Sequence, residues 1–112
     1  MRLKISAVAA LAVLGWQVDA FAADAKIVNY FKETCGVCHG ETGEGTKGLA
    51  PPLKGSEFVR TASAADIGNT ITKGRAGEQK KFKDLASPMP PAQMSDSRLA
   101  GIIEYLKGDL QK

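Results

Sequence analysis

The sequence predicts an all-α domain of three to four helices joined by Gly- and Pro-rich loops. Three observations predict it. Apolar residues recur at helical spacing in three separate stretches, around 24–35, 63–73 and 95–110. No stretch carries the apolar–polar alternation of a half-buried strand. Glycines and prolines gather between the helical stretches, at 40–55 and 87–91, and rule out regular structure there.

The chain has 112 residues, enough for one domain. Its start reads as a secretory leader rather than as part of that domain. Met1-Arg2-Leu3-Lys4 is basic, Ile5 to Gly15 is apolar, and Ala20-Phe21-Ala22 has the A-x-A form of a cleavage site. The apolar run is shorter than the ~20 residues a membrane-spanning helix needs. Residues 1–22 are therefore expected to be removed after Ala22, leaving a domain over 23–112 in the periplasm. A short leader of this kind favours a bacterial periplasm over a thylakoid lumen.

Each element has its own local signals. Asp24 is placed to cap the first helix, and Ile27, Phe31 and Cys35 fall on one face of it, with Gly36 and Gly40 marking where it loosens. From Gly40 to Gly55 the chain is loop, and a loop this long in a small domain usually has a task. Ser63 caps the next helix, Ile67 and Ile71 give its apolar stripe, and Gly74 ends it. Residues 75–87 are basic and weakly periodic, with at most one helical turn near Phe82 and Leu85. Ser87-Pro88-Met89-Pro90-Pro91 cannot be helix. Ser95 or Asp96 opens the last helix, whose face is Leu99, Ile102, Ile103 and Leu106, with Tyr105 beside it.

One motif carries chemistry. Cys35-Gly36-Val37-Cys38-His39 is C-x-x-C-H, the attachment signature of c-type haem. Two thiols three positions apart on one helical turn can each reach a vinyl group of the same macrocycle, and the next residue can present its imidazole to the iron. His39 is the sole histidine of the sequence, so any imidazole ligand must be His39. The competing reading is a dithiol redox motif followed by chance by a histidine. Both cysteines of the chain lie in this motif, so no long-range disulfide can form.

A second axial ligand would have to be a thioether. Removal of the leader leaves Met89 and Met94. Met89 sits among prolines, which fix the backbone and lower the entropy lost on ordering the segment. An apolar plug in a Pro-rich loop is the plainer account of it. Met94 has a plain account too: with Ser95 as N-cap, Met94 and Leu99 occupy the two positions of a hydrophobic staple.

The pattern resembles the class I c-type cytochromes, small exported monohaem proteins of bacteria. The resemblance spans essentially residues 24–110. It rests on Phe31 four residues before the first cysteine, C-x-x-C-H, and Ala50-Pro51-Pro52-Leu53. Beyond these come the short helix ending in Gly74, Pro88-Met89-Pro90-Pro91, and a last helix with Tyr105-Leu106. It implies a cytochrome c fold, three to four helices wrapped around one covalent haem c. It assigns Cys35 and Cys38 to the thioethers, His39 to proximal iron ligation and Met89 to distal ligation. It also implies that the Pro51 carbonyl meets the other imidazole nitrogen of His39, that Leu53 packs on the haem, and that the first and last helices cross near Phe31 and Tyr105. The sequence departs from the family where a glycine usually stands eight residues before the first cysteine, here Ile27, and where Ala50 precedes the loop proline. No tryptophan follows the leader to meet a propionate, leaving Arg75, Lys54 and Tyr30 as stand-ins.

The function this implies is a soluble, exported electron-transfer protein, not an enzyme, which passes single electrons between redox partners through a His/Met-ligated haem. A peroxidase or gas-binding haem would need an open iron position and a distal acid–base residue, and no second histidine exists to supply one. A haem-free thiol–disulfide oxidoreductase and a haem subunit of a larger dehydrogenase complete the alternatives. Without the leader the net charge is about +2, which gives no argument for nucleic acid. The basic run Lys73, Arg75, Lys80, Lys81 and Lys83 reads either as a solvated loop or as a docking patch for an acidic redox partner. The protein is expected to be a monomer with no membrane span after leader removal.

Overall fold

A computed structural model describes residues 24–76, 82, 85 and 88–112. The leader read at 1–22, and Lys80, Lys81 and Lys83 of the basic run, lie outside the described residues.

Asp24 opens the first helical rod by accepting a hydrogen bond from the Lys26 backbone N–H at 2.8 Å. The rod comprises helix α1 (Ala25–Tyr30), a π-helical turn (Phe31–Cys35) and helix α2 (Gly36–His39). The loosening anticipated at Gly36 occurs one turn earlier, where the widened π turn ends on the first cysteine. Gly40 stops the rod with φ +88°, a conformation that favours glycine. The loop that follows has one isolated bridge, Thr46 to Ala50.

A helix that the sequence reading missed comes next. Helix α3 (Glu57–Thr61) is capped by Ser56, whose hydroxyl accepts from the Val59 N–H at 3.2 Å. Helix α4 (Ala64–Lys73) is capped by Ser63 and ends at Gly74, as its end signals predict. Ser95 caps helix α5 (Asp96–Lys107), and a 3-10 turn (Asp109–Gln111) continues from Gly108 rather than extending the helix to Leu110. The described residues form no strand; besides the loop bridge, Arg75 pairs with Met89.

The core gathers Phe31 from the first rod, Val59 from α3, Ile67 and Ile71 from α4, and Ile102, Ile103 and Leu106 from α5. Phe31 is fully buried and meets Tyr105 edge-on at 5.4 Å between ring centres, so the first and last helices do cross there. The crossing also explains Ile27. The small residue has moved to the other helix: a Cβ added at Gly101 of α5 would lie 2.7 Å from Ile27 Cδ1. Gly101→Val is therefore expected to destabilise by about 1–3 kcal/mol through overpacking. Ile27→Ala in the same chain should recover part of that loss, read by denaturant unfolding of both variants and the pair. Strict additivity of the two changes would mean that the side chains do not meet.

Candidate functional site

The C-x-x-C-H segment, the 45–53 loop, α4 and the Met89 segment together line a cavity of about 580 Å³. That lies within the ~300–1,000 Å³ usual for a small-molecule site. Its walls are mostly apolar, and the chemistry-bearing groups on them are Cys35, Cys38, His39, Met89 and Arg75. Pro51 and Leu53 line it as well. Met94 does not; it packs against the core instead, in the N′ position before the Ser95 cap.

His39 is 9 % exposed, and its Nδ1 lies 2.8 Å from the Pro51 carbonyl oxygen. A carbonyl can only accept, so Nδ1 carries the proton and donates it. The lone pair is thereby left on Nε2, the nitrogen free to ligate. The loop that brings Pro51 into place is held by its backbone. The Gly45 N–H donates to the His39 carbonyl at 2.6 Å, and Leu53 and Lys54 N–H groups donate to Gly43 O at 2.8 and 2.9 Å. Thr46 Oγ1 adds a bond to the Cys38 carbonyl at 2.7 Å. Gly45 holds φ +85°, and a Cβ there would stand 2.6 Å from Pro52 N, so only glycine lets the loop close this tightly.

Met89 is fixed by backbone bonds in both directions, its N–H donating to Arg75 O and Arg75 N–H donating to Met89 O, each at 2.8 Å. The Ala92 N–H donates to Ile71 O at 2.9 Å and pins the segment to α4. Of the three stand-ins for a propionate partner, Arg75 alone lines the cavity. Its guanidinium donates to Thr70 Oγ1. Tyr30 is covered instead by Arg98, whose guanidinium carbon is 4.4 Å from the ring centre. Lys73 is exposed at the end of α4, whereas Arg75 is half-buried in the cavity wall.

Burial pushes the Cys35 thiol up to about 11, with the nearby Cys38 adding in the same direction. The site thus resists a thiolate, the opposite of what a reactive dithiol requires, and accepts a neutral sulfur such as a thioether. Burial also lowers the His39 pKa, opposed by the bond to Pro51.

These groups suit a covalently held haem: two thiols, an imidazole with the correct nitrogen free, a thioether, and a mostly apolar enclosure with one cation, Arg75, among the described lining residues. The family model for cytochrome c matches residues 25–108. A curated protein, the cbb3-type cytochrome c oxidase subunit CcoP of Azospirillum sp. (strain B510), is 36% identical over 59 residues, covering 47% of this chain and 20% of that protein. The chain thus aligns with about a fifth of that relative's length. The family match takes in every helix of the described fold and the whole cavity-bearing stretch; the chain belongs to the cytochrome c family, and its cofactor is covalently bound haem c.

Proposed function

We propose that this chain is an exported, soluble carrier that passes single electrons between redox proteins and binds no substrate at iron. The observation that carries the reading is the meeting of Cys35, Cys38, His39 and Met89 on one cavity in which no Asp or Glu side chain is among the described lining residues. The bound haem supplies a one-electron iron couple, and thioether ligation raises its potential.

The chain's own residues do the rest. Cys35 and Cys38 would hold the haem through thioethers to its vinyl groups, each thiol adding its sulfur and its hydrogen across one double bond so that no oxidant is consumed. His39 would offer Nε2 to the iron, its ring held by Pro51. Met89 would offer its sulfur and leave no iron position for oxygen or peroxide. Arg75 brings a positive charge to the cavity wall, where haem carboxylates would be balanced. Val37, 71% exposed between the two cysteines, gives a partner an apolar contact beside the attachment site. Lys73 contributes positive charge at the surface, and the further lysines Lys80, Lys81 and Lys83 extend the same run in sequence. Residues 1–22 serve as the leader that directs the chain to the periplasm.

The test is the visible spectrum of the purified protein, made with haem-attachment machinery, in both oxidation states. Sharp reduced c-type bands with a weak far-red band on oxidation support the carrier. Haem bands without the far-red feature overturn methionine ligation and favour an enzyme or sensor. Similarity to a segment of an oxidase subunit favours a second reading, in which the chain acts as the haem-bearing part of a larger assembly. Sizing the native haem-stained species separates a free carrier from a subunit.

A further inference from the structure

We propose that Gln111 is a positioning residue for the proximal imidazole. Its side-chain amide holds the 53–55 turn and, through it, keeps the Pro51 carbonyl on His39. The proposal rests on the reading of His39 as an iron ligand.

Gln111 lies on the 3-10 turn after α5, far in sequence from the loop it grips. Nε2 donates to Leu53 O and to Leu106 O, each at 2.9 Å, and Oε1 accepts from the Gly55 N–H at 2.7 Å. Both amide hydrogens are used, so the side chain bridges α5 to the loop in a single orientation. Its neighbour Leu110 is buried beneath the same loop; a Cβ at Gly43 would stand 3.0 Å from Leu110 Cδ2. The turn is also restrained by the bonds from Leu53 and Lys54 N–H to Gly43 O and, more weakly, by the Ser56 N–H, which donates to Leu53 O at 3.2 Å; Gln111 alone among these ties it to α5 and the turn that follows. Between Leu53 and the Pro51 carbonyl stands only Pro52, whose ring fixes its φ. With so few free rotations between them, a shift at Leu53 is passed on to the Pro51 carbonyl.

The measurement is solvent exchange of the His39 Nδ1 proton, followed by NMR in the reduced, haem-bearing protein. Each rate is compared with that variant's own global stability from denaturant unfolding. Gln111→Ala should speed exchange roughly tenfold through local opening of the loop. Gln111→Glu should do the same, because its carboxylate accepts from Gly55 but has no hydrogen for Leu53. Lys107→Ala is the control: Lys107 Nζ donates to Ala62 O at 2.7 Å and ties α5 to a different loop. At matched stability it should leave exchange within about twofold of the parent.

Unchanged exchange in Gln111→Ala, or a rise only in step with Lys107→Ala, overturns the positioning role. The ligation reading has a separate signature. If His39 binds the iron, its ring-carbon protons in the parent are shifted far upfield by the macrocycle. Absence of that shift defeats the ligation reading and this proposal with it. Its presence with unmoved exchange defeats the Gln111 role alone.

Discussion

Met89→Ala will keep the haem attached, remove the far-red band and lower the midpoint potential on the order of 0.1–0.3 V, a fraction of the ~0.8 V that axial ligands control. Attachment survives because the thioethers depend on Cys35 and Cys38. The potential falls because a soft sulfur that favours Fe(II) is replaced by water or nothing. The backbone of the segment should stay in place, since the paired bonds between Met89 and Arg75 and the bond from Ala92 to Ile71 involve no methionine side-chain atom. Met94→Ala is the matched control and should leave both band and potential unmoved, costing about 0.5–1 kcal/mol as a lost staple. Redox titration with optical detection reads both variants. Loss of the band in Met94→Ala but not in Met89→Ala would reverse the ligand assignment.

His39→Ala will cost more in stability than any other single change considered. If His39 is the proximal ligand as proposed, the change strips the iron of its imidazole; it also leaves the Pro51 carbonyl without its donor and opens a void in a buried site. The combined loss is expected on the order of 3–5 kcal/mol, a large share of the ~5–15 kcal/mol that holds a native domain together. The void is also a test. Imidazole added to solution is small enough to enter the space the ring vacated and should restore ligation spectra and part of the stability. A variant whose spectrum is unchanged before imidazole is added would show that another group holds the proximal position. Rescue should saturate with imidazole concentration, as binding to a defined site requires.

Much of this architecture was legible because its signals are local. Asp24, Ser63 and Ser95 cap the helices they precede, and Gly74 ends α4 with φ +74°. Those signals depend on residues a few positions apart. Helix α3 escaped notice because five residues make a single turn, too short for a period to register, although Ser56 before Glu57 was a readable start. The π turn left no compositional trace. The remaining features join distant segments and had no local signal. Gly101 answers Ile27 across two helices, so a glycine missing from one helix could be found only by knowing what it faces. Arg75 reads in the sequence both as one cation in a basic run and as one of three stand-ins for a propionate partner; nothing local told that its backbone pairs with Met89 and that it, of the three, lines the cavity. Gln111 reads as one more polar surface residue until the turn it grips is folded against it.

If His39 and Met89 hold the iron as proposed, the bonds around them bear on how fast charge can be exchanged, apart from how tightly it is held. An electron crosses between proteins only when donor and acceptor share a common nuclear arrangement, and the effort of reaching it limits the rate. His39 is restrained by Pro51, and Met89 by two bonds to Arg75 and a neighbouring bond to Ile71. Neither restraint involves a side chain that would have to reorient as a bound metal gained or lost charge, and the described lining residues are mostly apolar. With haem bound, such a site would need little rearrangement of its own groups, and solvent would supply most of the reorganisation energy. A partner that excluded that solvent on docking would remove its share as well, so association itself would quicken the transfer it precedes.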